Sequence, residues 1–221
     1  MPLYNGTLFG INKKEIMRYA GIDPNNKDFP EEVIQKAIRE ALSLAEPKGI
    51  WQILSYDPEN GIIKGEPFFT LQGNSIKKHL SKSASVAVMS VTVGKEIEII
   101  SDAYFKDGNY TQGLLLDAAA TAATEHLADQ VDDYIQEEAA RNGQKTVWRF
   151  SPGYGDWPVT QQKELCRLIH TEEIGIRVTD HSMLQPRKSI TAIIGFSACR
   201  QKPVPQKCHT CQLKRCSFRI T

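Results

Sequence analysis

The sequence predicts a mixed α+β domain built around one long central helix. Three observations carry that prediction. A helical pattern runs without a break from about residue 111 to 141, and its first half, "LLLDAAATAATEHLA", is rich in alanine. Two apolar runs of strand length and strand composition, "SVAVMSVTVG" and "KSITAIIGFSA", lie on either side of it. The order of helical and extended segments lacks the regular strand–helix alternation of a doubly wound sheet. At 221 residues the chain is long enough to bury a substantial core.

The elements follow in order. Asn12 with Glu15, and Asp28 with Glu31, have capping-box spacing ahead of apolar periodicity. The first pair opens a short helix that Gly21 ends. The second opens an amphipathic helix with Val33, Ile34, Ala37, Ile38, Ala41 and Leu42 on one face, closed by Pro47 and Gly49. "IWQILSY" reads as a strand, the turn-forming "DPENG" follows, and "IIKGEPFFTL" is extended. Asn74 is placed to cap a short helix through Leu80. The near-continuous apolar character of "SVAVMSVTVG" marks a buried strand, and the period turns helical again from about 95 to 105.

The long helix comes next, ended by Asn142-Gly143. Its small side chains let another backbone approach closely, which puts it at the centre of the molecule. "KTVWRFS" reads as a strand, "TQQKELCRLI" as a helix capped by Thr160, and "IGIRVTD" and "KSITAIIGFSA" as two further strands. The domain so described spans 1–199, with an N-terminal helical part over about 1–48. "RQKPVPQK" reads as a linker into a cysteine-rich tail, so residues 200–221 stand apart.

Composition excludes several classes of function. A formal net charge of +1 gives no chain-wide attraction to nucleic acid or to acidic membranes. No apolar stretch reaches the roughly 18–20 residues that cross a bilayer. The N-terminus lacks a charged region followed by an apolar one, so the expected location is cytoplasmic.

Two clusters of residues are candidates for chemistry. "RFSPGYGDWP", residues 149–158, sits between a strand and a helix. Its glycines are not a dinucleotide fingerprint, because Pro158 stands where the third glycine would be. Arg149 offers a planar fork matched to a carboxylate or phosphate, and glycine lets a ligand approach the backbone. A tight turn carrying a surface arginine is the alternative, and composition leaves both open. The five histidines are scattered, and Glu125 and His126, neighbours on a helix, do not face each other. The face with Asp129, Asp132 and Asp133 reads as solvated. In the tail, Cys208 and Cys211 have metal-ligand spacing, Cys216 adds a third thiolate, and Cys199 completes four. Such a set suits zinc or an iron–sulfur cluster, with free thiols or a redox pair as the alternative.

The residues of this region carry a resemblance. Arg149, Gly153 and Tyr154 form an R-x-x-x-G-Y signature, and Thr179, Met183, Pro186 and Ser189 form a second, T-x-x-x-M-x-P-x-x-S. Together, over about residues 110–197, they resemble the activation domain of cobalamin-dependent methionine synthase, most closely the standalone proteins of that family. The fold this implies is α+β, with a mixed, largely antiparallel twisted sheet, a long central helix and flanking helices.

The resemblance also implies a role. The family domain binds S-adenosylmethionine and presents it to the cobalamin of methionine synthase. A flavodoxin- or ferredoxin-type donor reduces the inactive cob(II) form, and the resulting cob(I) takes the methyl group. Arg149 would then grip the ligand carboxylate. Phe150, Ser151, Gly153, Tyr154, Gly155 and Asp156 would line the site, and Asp156 or Glu125 would meet the ligand ammonium. The nucleophile is the partner's cobalt, so the chain needs no catalytic residue of its own. The sequence departs from the fused form of the domain at Gly155-Asp156-Trp157-Pro158, at Ala192, and in its cysteine tail. The tail leaves a second reading, an iron–sulfur or redox activator or docking module for another corrinoid protein.

Overall fold

The computed structural model describes residues 1–26 and 28–197. The linker expected after Arg200 and the four tail cysteines, Cys199, Cys208, Cys211 and Cys216, lie outside the described residues.

The chain opens with β1 (Leu3–Tyr4), α1 (Lys13–Tyr19) and α2 (Glu31–Leu44). Next come β2 (Lys48–Asp57), β3 (Ile62–Lys64), β4 (Phe69–Thr70), α3 (Asn74–His79), β5 (Ser85–Thr92) and α4 (Glu96–Lys106). The long helix is α5 (Tyr110–Arg141); β6 (Lys145–Thr146), a 3-10 turn over Val159–Gln161 and α6 (Gln162–Leu168) follow it. A second 3-10 turn, Thr171–Ile174, leads to β7 (Arg177–Val178), β8 (Leu184–Gln185) and β9 (Ser189–Ser197).

The principal sheet runs β4-β3-β2-β5-β9-β6, with β1 on the same edge of β2 as β3. Every strand pairing among the described residues is antiparallel. Its centre is the full-length pairing of β5 with β2 on one side and β9 on the other. Both faces are covered, which is why β5 reads as continuously apolar. Ala87, Met89 and Val91 face a core shared with α5, α1 and α2, whereas Val86 and Val88 face a second core with Ile76 of α3 and Leu165 of α6. The alanines of α5 do what their size allows. Ala119, Ala120, Ala123 and Ala128 are fully buried, and α4, α2 and α1 all pack against this helix.

Four local expectations are corrected. Asn12 does cap α1, accepting from the Lys14 N–H, but α2 starts after Pro30 with no side-chain cap, so Asp28 does not open it. Asn74 is the first residue of α3 and not its cap. Of the strand expected over "KTVWRFS", only Lys145–Thr146 forms regular ladder. Thr146 pairs with Phe196 and Phe150 with Ile193, four steps along one strand against three along the other. The extra residue makes a bulge over 147–149, and a bulge re-aims a side chain. Similarly, "IGIRVTD" contributes only β7, which pairs with β8 in a separate two-stranded sheet.

Candidate functional site

The bulge determines where Arg149 goes. Val147 and Phe150 join the core on the α3–α6 side of the sheet, while the Arg149 side chain reaches the polar flank of α5. There Nη1 donates to Asp129 Oδ1 at 2.6 Å and Nη2 to Glu125 Oε2 at 2.9 Å. Asp132 Oδ2 stands 3.7 Å from Nη1. Residues 125, 129 and 132 share one helical face at i, i+4 and i+7, so three carboxylates converge on one guanidinium. Arg149 is not a surface residue, being 7% exposed. Desolvation works against its charge, but Asp129, Glu125 and Asp132 together outweigh it and raise its pKa.

The acidic face of α5 is likewise not simply solvated. The Asp132 side chain is only 15% exposed. Burial raises its pKa first, opposed by the hydrogen bond from Gln136 and by the Arg149 charge.

A cavity of about 170 Å³ opens beside this ion-pair cluster. Arg149, Glu125, Ser151 and Tyr154 form part of its wall, so four of the residues named from sequence come together. Ser189, from the second signature, closes the same cavity from the start of β9 and also donates to Thr92 Oγ1 at 2.9 Å. Desolvation, then the Glu125 charge, raises the Tyr154 phenol, which keeps its proton at neutral pH.

The remaining expected residues sit elsewhere. Phe150 is buried among Trp157, Trp148 and His79, with ring centroids 5.1–6.1 Å apart. Gly153 and Gly155 shape the turn without lining the cavity. Asp156 is committed to α3: its carboxylate accepts from the N–H groups of Asn74 and Ser75, each at 2.8 Å. Those two backbone bonds lower its pKa and correct the expected cap of α3; Asp156 is not part of the cavity wall. Trp157 locks the turn from the other side. It is 1% exposed, and its Nε1 donates to Gln161 Oε1 at 2.8 Å; the same oxygen accepts from the Gln72 N–H.

Sequence reasoning missed Gln162, Leu184, Ile190 and Thr191 in the cavity wall. No local motif marks them. They meet Arg149 only because α6 and the β8–β9 segment fold against the bulge. Among the described residues no cluster of His, Cys, Asp and Glu is arranged to hold a metal ion, and no helix is long and apolar enough to cross a membrane.

Comparison with known proteins bears on this geometry. The family model for the activation domain of vitamin B12-dependent methionine synthase matches residues 51–202. The crystal structure of the MetH reactivation domain bound to AdoHcy superposes with a TM-score of 0.58 at 16% identity. That match covers 77% of this chain and 66% of the other. No curated protein matches in sequence.

Proposed function

The chain belongs to the family of vitamin B12-dependent methionine synthase activation domains, and from that premise we propose that it is a reactivation factor. It binds S-adenosylmethionine in the Arg149 cavity and presents it to cobalamin held by a partner methionine synthase or related corrinoid protein. A flavodoxin- or ferredoxin-type protein supplies the electron that the partner needs, and the encounter takes place in the cytoplasm. One observation carries the reading: Arg149 and Tyr154 of the first signature and Ser189 of the second line a single cavity.

The residues present fit such a ligand. Adenosylmethionine joins a zwitterionic amino acid to a sulfonium, so it needs both signs of charge in one place. Arg149 has five N–H donors, of which Asp129 and Glu125 take one on each terminal nitrogen. The rest remain for a ligand carboxylate. Glu125 supplies the counter-charge for an ammonium; its side chain is 36% exposed and it lines the cavity. When bound, the ligand supplies an electrophilic methyl group. The chain's own part is to hold and orient, with Tyr154 at the exposed rim and the hydroxyls of Ser151, Ser189 and Thr191 along the wall.

Calorimetry with adenosylmethionine tests the reading. Wild type is expected to bind, and Arg149→Lys to bind about tenfold or more weakly. Lysine preserves the charge beside Glu125 and Asp129 but lacks the fork, a loss of roughly 1.5–3 kcal/mol. No binding by wild type, or equal binding by Arg149→Lys, overturns it. Formation of methylcobalamin on a corrinoid partner is the functional counterpart of the same experiment.

A further inference from the structure

Gln162 opens α6 at the cavity wall and is 5% exposed. Its Nε2 donates to the Thr191 hydroxyl and lies 3.7 Å from Cys166 Sγ. Those contacts orient the amide. No hydrogen bond to its Oε1 occurs among the described residues, although the side chain is almost wholly removed from bulk water. Oε1 is not among the buried polar atoms left without a partner, so it is open to the cavity that Gln162 lines and free to accept there. A ligand that fills the cavity can supply the donor.

Resting on the reading of the cavity as an adenosylmethionine site, we propose that Gln162 Oε1 accepts a hydrogen bond from the ligand's α-ammonium. This makes Gln162 a ligand-reading residue that neither family signature contains. Size decides which end of the ligand it meets. At about 170 Å³ the cavity is smaller than the roughly 300 Å³ at which pockets begin to enclose a whole drug-sized ligand. It takes one end of adenosylmethionine, and Arg149 and Glu125 in the same wall select the amino-acid end. An ammonium has three N–H groups to place, and Glu125 accounts for part of that demand. The amide oxygen of Gln162 supplies a neutral acceptor without adding charge to a wall that already carries Glu125.

The test compares adenosylmethionine with 5′-methylthioadenosine, which has the nucleoside and lacks the amino acid. The second is measured directly or by competition against the first. Gln162→Leu is expected to weaken adenosylmethionine about tenfold and to leave 5′-methylthioadenosine within twofold of wild type. Gln162→Glu keeps an acceptor, and the Thr191 hydroxyl then donates to it. This variant is expected to bind adenosylmethionine within threefold of wild type or more tightly. Thermal melts establish that each variant folds.

Unchanged adenosylmethionine binding by Gln162→Leu overturns the proposal. Equal losses for both ligands also overturn it, because they place Gln162 against the nucleoside. If only Gln162→Glu folds, a tenfold loss in that variant has the same consequence. Failure of wild type to bind adenosylmethionine sinks the functional reading itself, a different result from any of these.

Discussion

At the scale of single residues, the site is a concentration of carboxylates around one guanidinium. Asp132 is the member that the fold holds at a cost. Its pKa is raised in the folded state by burial, so the group favours the folded chain most when protonated. Its contribution is fully present below the unfolded value near pH 4 and is lost as pH rises through the raised folded value. Asp132→Asn is therefore expected to stabilise the protein at neutral pH by about 1 kcal/mol, or 2–4 °C in melting temperature. The gain should fade below about pH 4, and melts across that range measure it. Sequence made Arg149 legible because guanidinium, glycine and aromatic side chains crowd one short segment. It hid Asp132 and Gln162, because a buried acid and a surface acid are written with the same letter. What separates them is the tertiary partner, Arg149 for one and Thr191 for the other.

At the scale of elements, α5 and the central strands were readable because their burial imposes a period on the sequence. The helix is alanine-rich where it crosses the sheet, and β5 is apolar on both faces. The short pieces were not readable. α3 has no cap of its own and takes one from Asp156, more than 80 residues later in the chain, which no local pattern encodes. The bulge at 147–149 is equally silent, because its cause is the register against β9.

The junction between α3 and the 149–158 turn is tight enough to require two glycines. Gly73 has φ +97°, and a Cβ there would stand 2.8 Å from the Asp156 carbonyl oxygen. Gly155 has φ +57°, and its Cβ would meet Ser75 Oγ at 2.7 Å. Gly73→Ala is expected to lower stability by about 1–2 kcal/mol from the backbone conformation alone, and further because the obstacle is main chain. Denaturant melts measure the loss. Loss of adenosylmethionine affinity should accompany it in the surviving folded fraction.

At the scale of the whole molecule, one sheet separates two cores, and the candidate site draws residues from elements on both sides of it. α5 brings Glu125 and Asp129 from one layer; α6 and the turn bring Gln162 and Tyr154 from the other. The general architecture was legible, because covered sheet faces and a small-residue helix leave plain marks. The convergence was not, because it depends on elements distant in sequence. A ligand that binds across both layers stabilises the folded chain by mass action. Adenosylmethionine at about 100 times its dissociation constant should add about 2.7 kcal/mol, raising the melting temperature by several degrees. Thermal melts with and without ligand give that shift, and its absence at saturating ligand contradicts the proposed site.

The contact of Asp156 with α3 has one more consequence, in the rate at which amide protons trade places with deuterium. The Asn74 and Ser75 amides are sheltered by a carboxylate that belongs to the turn, so they exchange whenever that turn opens. They lie outside the cavity wall, yet they register every opening of the segment that carries Tyr154 and Ser151. Ligand that steadies the turn will slow exchange at these two amides without touching them, which gives a spectroscopic readout of occupancy at a helix end.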